Sequence, residues 1–163
     1  DGVVITGGEP CLQNDLIDFI KEIKAMGFLV KLDTNGTFPD RLQECLPYLD
    51  YIAMDIKAPL HKYSEITKLN INTDKIEKSI NLIMNSGIDY EFRTTVVKSQ
   101  LTFEDFEDIG KLIKGAKKYY LQKFVASKTL DEGMMSEKTY SNEDFEKIKL
   151  LLNVNINNVE IRG

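Results

Sequence analysis

Several short stretches of this sequence carry side chains, or lack them, in ways that could hold a ligand. Val3-Val4-Ile5 is an apolar run that opens directly into Thr6-Gly7-Gly8-Glu9-Pro10. A short apolar run ending in a turn is consistent with a buried parallel strand, and ligands of α/β proteins bind beyond the carboxyl ends of such strands. Gly7 and Gly8 leave that end bare, so another backbone or a ligand can come close. Glu9 adds a carboxylate acceptor and Pro10 stiffens the exit. Asp33, followed by Thr34-Asn35-Gly36, and Asp55, followed by Ile56-Lys57, stand at the ends of two further apolar runs. Carboxylates at neighbouring strand ends repel unless a cation or an ammonium lies between them. Lys57 follows Asp55 by two residues, so strand alternation turns it to the same side. Arg93 lies in an otherwise apolar strand, where a guanidinium is costly unless paired and where a bidentate carboxylate suits it. Taken singly, each stretch is also what an ordinary turn, a capped loop or an internal ion pair looks like.

These stretches also carry a resemblance. Thr6-Gly7-Gly8-Glu9-Pro10 resembles the signature of the radical S-adenosylmethionine (SAM) superfamily. Leu32-Asp33-Thr34-Asn35-Gly36-Thr37 and Met54-Asp55-Ile56-Lys57-Ala58-Pro59 resemble the matching strand ends of glycyl-radical-enzyme activases. The likeness is nearest to anaerobic ribonucleoside-triphosphate reductase activating proteins, with pyruvate formate-lyase activating enzyme as a near relative. It runs from Asp1 to Val159-Glu160-Ile161-Arg162-Gly163. It implies a protein that binds SAM beside a [4Fe–4S] cluster, generates a 5′-deoxyadenosyl radical, and passes the radical to a glycine of a partner enzyme. In such enzymes the cofactors carry the chemistry and the protein supplies position and polarity.

The resemblance also implies roles. The backbone of Gly7, Gly8 and Glu9, leading into Pro10, would receive the methionyl ammonium. Asp33, Thr34 and Asp55 would lie around a monovalent cation beside SAM, and Asn35 of the same turn would belong to the SAM site. Lys57 would meet a SAM carboxylate or ribose, Arg93 would lie near SAM, and Gln122 would reach adenine or ribose. Val125 stands where the pyruvate formate-lyase relative has a histidine.

One departure is large. The superfamily hallmark is CxxxCxxC, three cysteines that hold the cluster upstream of Gly-Gly-Glu-Pro. Here Cys11 and Cys45 are the only cysteines, both follow that motif, and two distant thiols cannot chelate such a cluster. The chain also begins at Asp1 rather than Met. The expectation is therefore a single N-terminally truncated domain over residues 1–163, the SAM-binding portion of an activating enzyme, inactive alone, with the cluster held only by the intact protein. Two rival readings are a cluster-less module for SAM binding or partner docking, and an enzyme like 7-carboxy-7-deazaguanine synthase. The latter shares Gly-Gly-Glu-Pro and a Thr-Asn-Gly turn, but its turn usually begins with Glu, so Asp33 and Asp55-Ile56-Lys57 favour the activase.

The elements that must position these residues recur as βα units. Asn14 is placed to cap a helix carrying Leu16, Ile17, Phe19, Ile20, Ile23 and Met26 at core-facing spacing, with Gly27 behind it. Strands are expected at 28–32, 51–54, 88–97, 119–125 and 159–161. Pro39 opens a short helix that Pro47 halts, and Asp74 with Glu77 boxes another that carries Ile76, Ile80, Ile83 and Met84. Thr102 precedes a helix with Phe103, Phe106, Ile109 and Ile113, and Ser141 caps the last one. His61-Lys62-Tyr63-Ser64-Glu65 reads as a polar connection, with His61 solvated. Residues 127–140 read as a loop with a turn at Asp131-Glu132-Gly133, and its Met134 and Met135 as loop packing. The fold class expected is α/β: a partial barrel of about six mostly parallel strands with helices outside, open where the first βα unit is missing.

Bulk properties agree with one domain. The chain has 163 residues, 42% of them apolar, a net charge of −5 and a pI near 5.0. An acidic balance disfavours non-specific nucleic-acid binding, which needs a basic face. No long apolar stretch or signal pattern is present, and two unpaired cysteines suit a reducing cytoplasm. An incomplete barrel would leave an edge next to the Gly-Gly-Glu-Pro strand, which invites dimerisation.

Overall fold

The computed structural model describes residues 1–126 and 135–163. The turn expected at Asp131-Glu132-Gly133, and Met134, lie outside them. In chain order the elements are β1 (Gly2–Ile5), α1 (Leu16–Ala25), β2 (Leu29–Thr34), α2 (Pro39–Cys45), β3 (Tyr51–Asp55), α3 (Tyr63–Thr67), α4 (Thr73–Asn85), β4 (Asp89–Val96), α5 (Phe103–Leu112), β5 (Tyr119–Lys123), α6 (Asn142–Leu152) and β6 (Val159–Arg162). Two compact units are distinguishable, Asp1–Asp55 with Asn70–Glu91, and Ile56–Leu69 with Phe92–Gly163.

In the first unit β1, β2 and β3 pair in parallel and in sequence order, with Val3 opposite Val30 and Asp33 opposite Ala53. Alternation decides which face does what. Val30, Leu32, Ile52 and Met54 are fully buried, and with them Ile20, Ile23, Leu42, Ile76, Ile80 and Ile83 of the helices form the core. Lys31, Asp33, Tyr51 and Asp55 stand on the opposite face and are only half-buried. β1 has a partner on one side only among the described strands.

A carboxylate fixes the start of β2. Asp50 Oδ2 accepts the Val30 amide at 2.7 Å and receives Lys24 Nζ, from the last turn of α1, at 2.7 Å. The Asp50 amide returns a hydrogen bond to the Val30 carbonyl at 2.9 Å.

In the second unit β4 pairs with β5 and β5 with β6, all in parallel: Phe92 lies opposite Tyr119, and Tyr120 opposite Glu160. Phe92, Phe106, Ile109, Leu121, Phe145 and Ile148 form its core. A buried chain of hydroxyls crosses it. The Tyr119 hydroxyl donates to Thr94 Oγ1 at 2.6 Å, and Thr94 donates to the Ile56 carbonyl at 2.6 Å.

The structure corrects several local expectations. The residue flanking α1 is Asp15, not Asn14, and it makes no side-chain cap. Of the expected stripe Leu16, Ile20 and Ile23 are buried, while Phe19 and Met26 are exposed, because the helix presents only a narrow face to the sheet. α4 is capped by Asn72, whose side chain accepts the Asp74 amide at 3.0 Å, rather than by a box of Asp74 and Glu77. A 3-10 turn, Leu46–Tyr48, carries Pro47 past the end of α2, since proline is tolerated at the start of a new turn. The polar connection after β3 is instead a 3-10 turn, Leu60–Lys62, followed by α3. Burial of Tyr63, 1% exposed, anchors it.

Candidate functional site

Past β1 the backbone turns through Gly7 at φ +97° and Gly8 at φ +54°. No atom lies within 4 Å of where a Cβ on either would stand, so the bare backbone faces open space. The angle at Gly7 favours glycine strongly, and the left-handed angle at Gly8, which Lys68 also adopts at φ +55°, is one that glycine enters at least cost. Glu9 follows in extended conformation and its carboxylate reaches across to the end of β2. Oε1 accepts the Cys11 amide at 2.9 Å and the Thr34 hydroxyl at 2.8 Å; Oε2 accepts the Asn35 amide at 2.6 Å. The Glu9 carboxylate therefore organises the second strand end, while Thr6, Gly7 and Gly8 of the turn are exposed.

The end of β2 is held just as firmly. Thr34, 4% exposed, accepts the Gly36 amide at 3.1 Å on its hydroxyl. Asn35 Oδ1 accepts the Thr37 amide at 3.0 Å and the Thr37 hydroxyl at 2.7 Å. Gly36 adopts φ +78°, its carbonyl receives the Ser79 hydroxyl at 2.7 Å, and a Cβ there would overlap the Met54 methyl.

Asp33 turns to the other face of β2. Lys31 Nζ lies 3.4 Å from Asp33 Oδ1 and 4.0 Å from Glu91 Oε1 of β4, and it stands 5.5 Å over the Tyr51 ring. The Tyr51 hydroxyl donates to Glu91 Oε2 at 3.0 Å, and Glu91 is only 3% exposed. Sequence reading missed Lys31, Tyr51 and Glu91. The alternation that paired Asp55 with Lys57 would also have put Lys31 beside Asp33. Asp55 lies two residues beyond Ala53, the partner of Asp33. The two acids thus share a face but are offset by roughly 7 Å along the strands.

In the second unit the Lys57 amide donates to the Tyr63 hydroxyl at 3.2 Å. Arg93 is half-buried opposite Tyr120, and its carbonyl accepts the Ile56 amide at 2.8 Å. Gln122 is half-buried between Thr95 and Arg162 in register. Arg93 and Gln122 therefore share one face of their strands in adjacent rows, where the Arg162 guanidinium stacks 3.2 Å above the Tyr120 ring.

The radical SAM superfamily pattern matches residues 1–113, more than half of the chain. The chain belongs to the radical SAM superfamily. A Methanocaldococcus jannaschii protein, assigned by inference as a glycyl-radical enzyme activating enzyme, is 34% identical over 99% of this chain and 70% of its own length. A 7-carboxy-7-deazaguanine synthase of Methanospirillum hungatei is 32% identical over 61% of this chain, which spans only 42% of that enzyme. A domain of the pyruvate-formate lyase-activating enzyme from Bacteroides vulgatus superposes with a TM-score of 0.76 over 99% of both chains, at 18% identity. That likeness shows the fold, and it is the α/β partial radical SAM barrel with parallel strands expected from the sequence.

Radical SAM proteins as a family use SAM and a [4Fe–4S] cluster. The bare Gly7-Gly8 backbone and the polar face carrying Asp33 and Asp55 suit a ligand with an ammonium group. The cysteines do not suit a cluster. Cys11 and Cys45 are 3% and 0% exposed. Burial, then the Glu9 charge, pushes the Cys11 thiol far up, and burial pushes Cys45 up to about 11. Thiols so protonated are poor metal ligands. Among the described residues no three His, Cys, Asp or Glu side chains are grouped to hold a metal ion.

No helix among the described residues is long and apolar enough to cross a membrane.

Proposed function

We propose that this chain is the SAM-binding portion of an activating enzyme that makes a glycyl radical on a partner such as anaerobic ribonucleotide reductase or pyruvate formate-lyase. The observation that carries the reading is the Gly7-Gly8 turn, open to a ligand and tied by Glu9 to Thr34 and Asn35 at 2.8 and 2.6 Å. That bracket holds two strand ends rigidly while leaving the glycine backbone available. Rigid support of this kind is what a positioned reactant requires. SAM, when bound in such enzymes, supplies the hydrogen-abstracting radical.

The chain's own residues bind and orient. The Gly7-Gly8 backbone, with Pro10 stiffening its exit, receives the methionyl ammonium. Asp33 and Asp55 add negative potential on one face of β2 and β3. Arg93 and Gln122 offer a cation and an amide for carboxylate, ribose or adenine, and Lys57 offers a second cation. The activase reading is favoured over a deazaguanine synthase because the likeness to the Methanocaldococcus protein runs along 99% of this chain, against 61% for the synthase.

The test is equilibrium dialysis of radiolabelled SAM against the chain, with Asp33→Ala and Arg93→Ala as variants. The expected result is weak binding that each variant weakens further. Tight binding indifferent to both substitutions would place the ligand elsewhere. For the activity, the protein bearing the cluster cysteines should raise a glycyl-radical doublet in the electron paramagnetic resonance spectrum of its partner enzyme. Formation of 7-carboxy-7-deazaguanine without that doublet would favour the synthase.

A further inference from the structure

On resemblance alone Asp33, Thr34 and Asp55 would surround a monovalent cation beside SAM, yet the donors do not fit one. Thr34 turns to the opposite face of β2 from Asp33. Its hydroxyl is engaged by Glu9 at 2.8 Å and by the Gly36 amide at 3.1 Å. Asp55 stands two residues out of register with Asp33. Moreover Asp33 already has a cation of the protein's own. Lys31 Nζ lies 3.4 Å from Asp33 Oδ1 and 4.0 Å from Glu91 Oε1.

That ammonium is held in place by its surroundings. A carboxylate as buried as Glu91 needs a compensating positive charge and a hydrogen bond, and it has Lys31 and the Tyr51 hydroxyl at 3.0 Å. Lys31 also lies over the face of the Tyr51 ring, the attractive side of an aromatic for a cation. A metal ion added at Asp33 Oδ1 would sit within a few ångströms of an ammonium, and like charges at that distance repel strongly. Two carboxylates on one ammonium still leave negative charge for the ammonium or sulfonium of SAM.

We propose that the Lys31 ammonium takes the place of a monovalent metal ion beside Asp33, so that SAM binding at these strand ends is independent of added K⁺ or Na⁺. The proposal rests on the reading that SAM lies there, and its test separates the two.

SAM affinity is measured by equilibrium dialysis for the full chain, Lys31→Met and Lys31→Gln in choline, sodium and potassium chloride at one ionic strength. Thermal unfolding is recorded in the same salts without SAM. The parent chain should change affinity by less than about twofold between salts. Each variant should lose about tenfold in choline and regain most of it in K⁺ or Na⁺. A parent chain that gains about tenfold or more on adding K⁺ overturns the proposal whatever the variants do. So do variants whose loss no salt repairs, for Lys31 would then be a structural ion pair alone. If SAM binds in no salt, the SAM reading fails, and the melting temperatures decide the cation question. A rise with K⁺ or Na⁺ over choline in a variant, absent from the parent chain, upholds the replacement; equal behaviour overturns it.

Discussion

The Asn35 amide donates to Glu9 Oε2 at 2.6 Å, linking the end of β2 to the turn after β1. The same carboxylate takes the Thr34 hydroxyl and the Cys11 amide on its other oxygen. All three partners are donors, so Glu9→Gln sets an NH₂ group against at least one of them. A part-buried donor left unmatched costs about 1–3 kcal/mol. Urea denaturation should show a loss in that range, accompanied by weaker SAM binding. An unchanged midpoint would mean that the bracket does not support the turn.

Gly36→Ala should be more severe than its single methyl suggests. The residue sits at φ +78°, and the added Cβ meets the Met54 methyl in the core. Strain and overpacking together predict a loss of about 2 kcal/mol or more. Measured against Met54→Ala alone, which already bears the cavity left by a fully buried methionine, adding Gly36→Ala should recover the packing part of the loss but keep the backbone strain. Full recovery would assign the whole effect to packing.

Asp50 gives a pH-dependent contribution of known sign. The Lys24 hydrogen bond, followed by the Val30 amide, holds its carboxyl below the ordinary range, with burial opposing. A depressed folded pKa contributes stability that is present above the unfolded value, about 3.9, and is lost as pH falls through the folded value. The side chain is 32% exposed, so the contribution is modest, about 1 kcal/mol after screening. Subtracting the stability curve of Asp50→Asn from that of the parent chain should leave a difference that is flat near neutrality and shrinks below about pH 4. A difference that stays constant down to pH 2 would show that the pair contributes nothing through charge.

Anaerobic treatment of the chain with iron and sulfide should yield no stoichiometric [4Fe–4S] chromophore. It has two cysteines, and both are buried with raised thiol pKa values. An absorbance band with one cluster per chain would require ligands outside those two thiols or a rearranged core.

Much of the fold was legible because strand ends and turn residues coincide. Asp33-Thr34-Asn35-Gly36 closes β2 as alternation and turn chemistry require, and Thr102 stands before α5 as expected, where the structure adds a capping box with Asp105. Caps with two candidates were less readable. Asn72 and Asp74 are equally able in isolation, and the structure uses Asn72; at α1 the flanking Asp15 makes no side-chain cap at all. α3 escaped notice because its segment looks polar, and only the burial of Tyr63 gives it a reason to be helical. The network around Lys31 was illegible for another reason. Charged residues in strands are read as solvent-facing, whereas Glu91 is buried by partners that lie far away in sequence, Lys31 and Tyr51.

β2 is held at both ends by carboxylates that belong to its neighbours' connections. Asp50 ties the Val30 amide at its start, and Glu9 ties Thr34 and Asn35 at its finish. Sliding β2 by even one residue would break both ties at once and turn Val30 and Leu32 away from the core. Opening fluctuations in the first unit must therefore begin elsewhere. Under native-state hydrogen exchange the amides of β2 belong among the last to take up deuterium, released only when the whole unit unfolds.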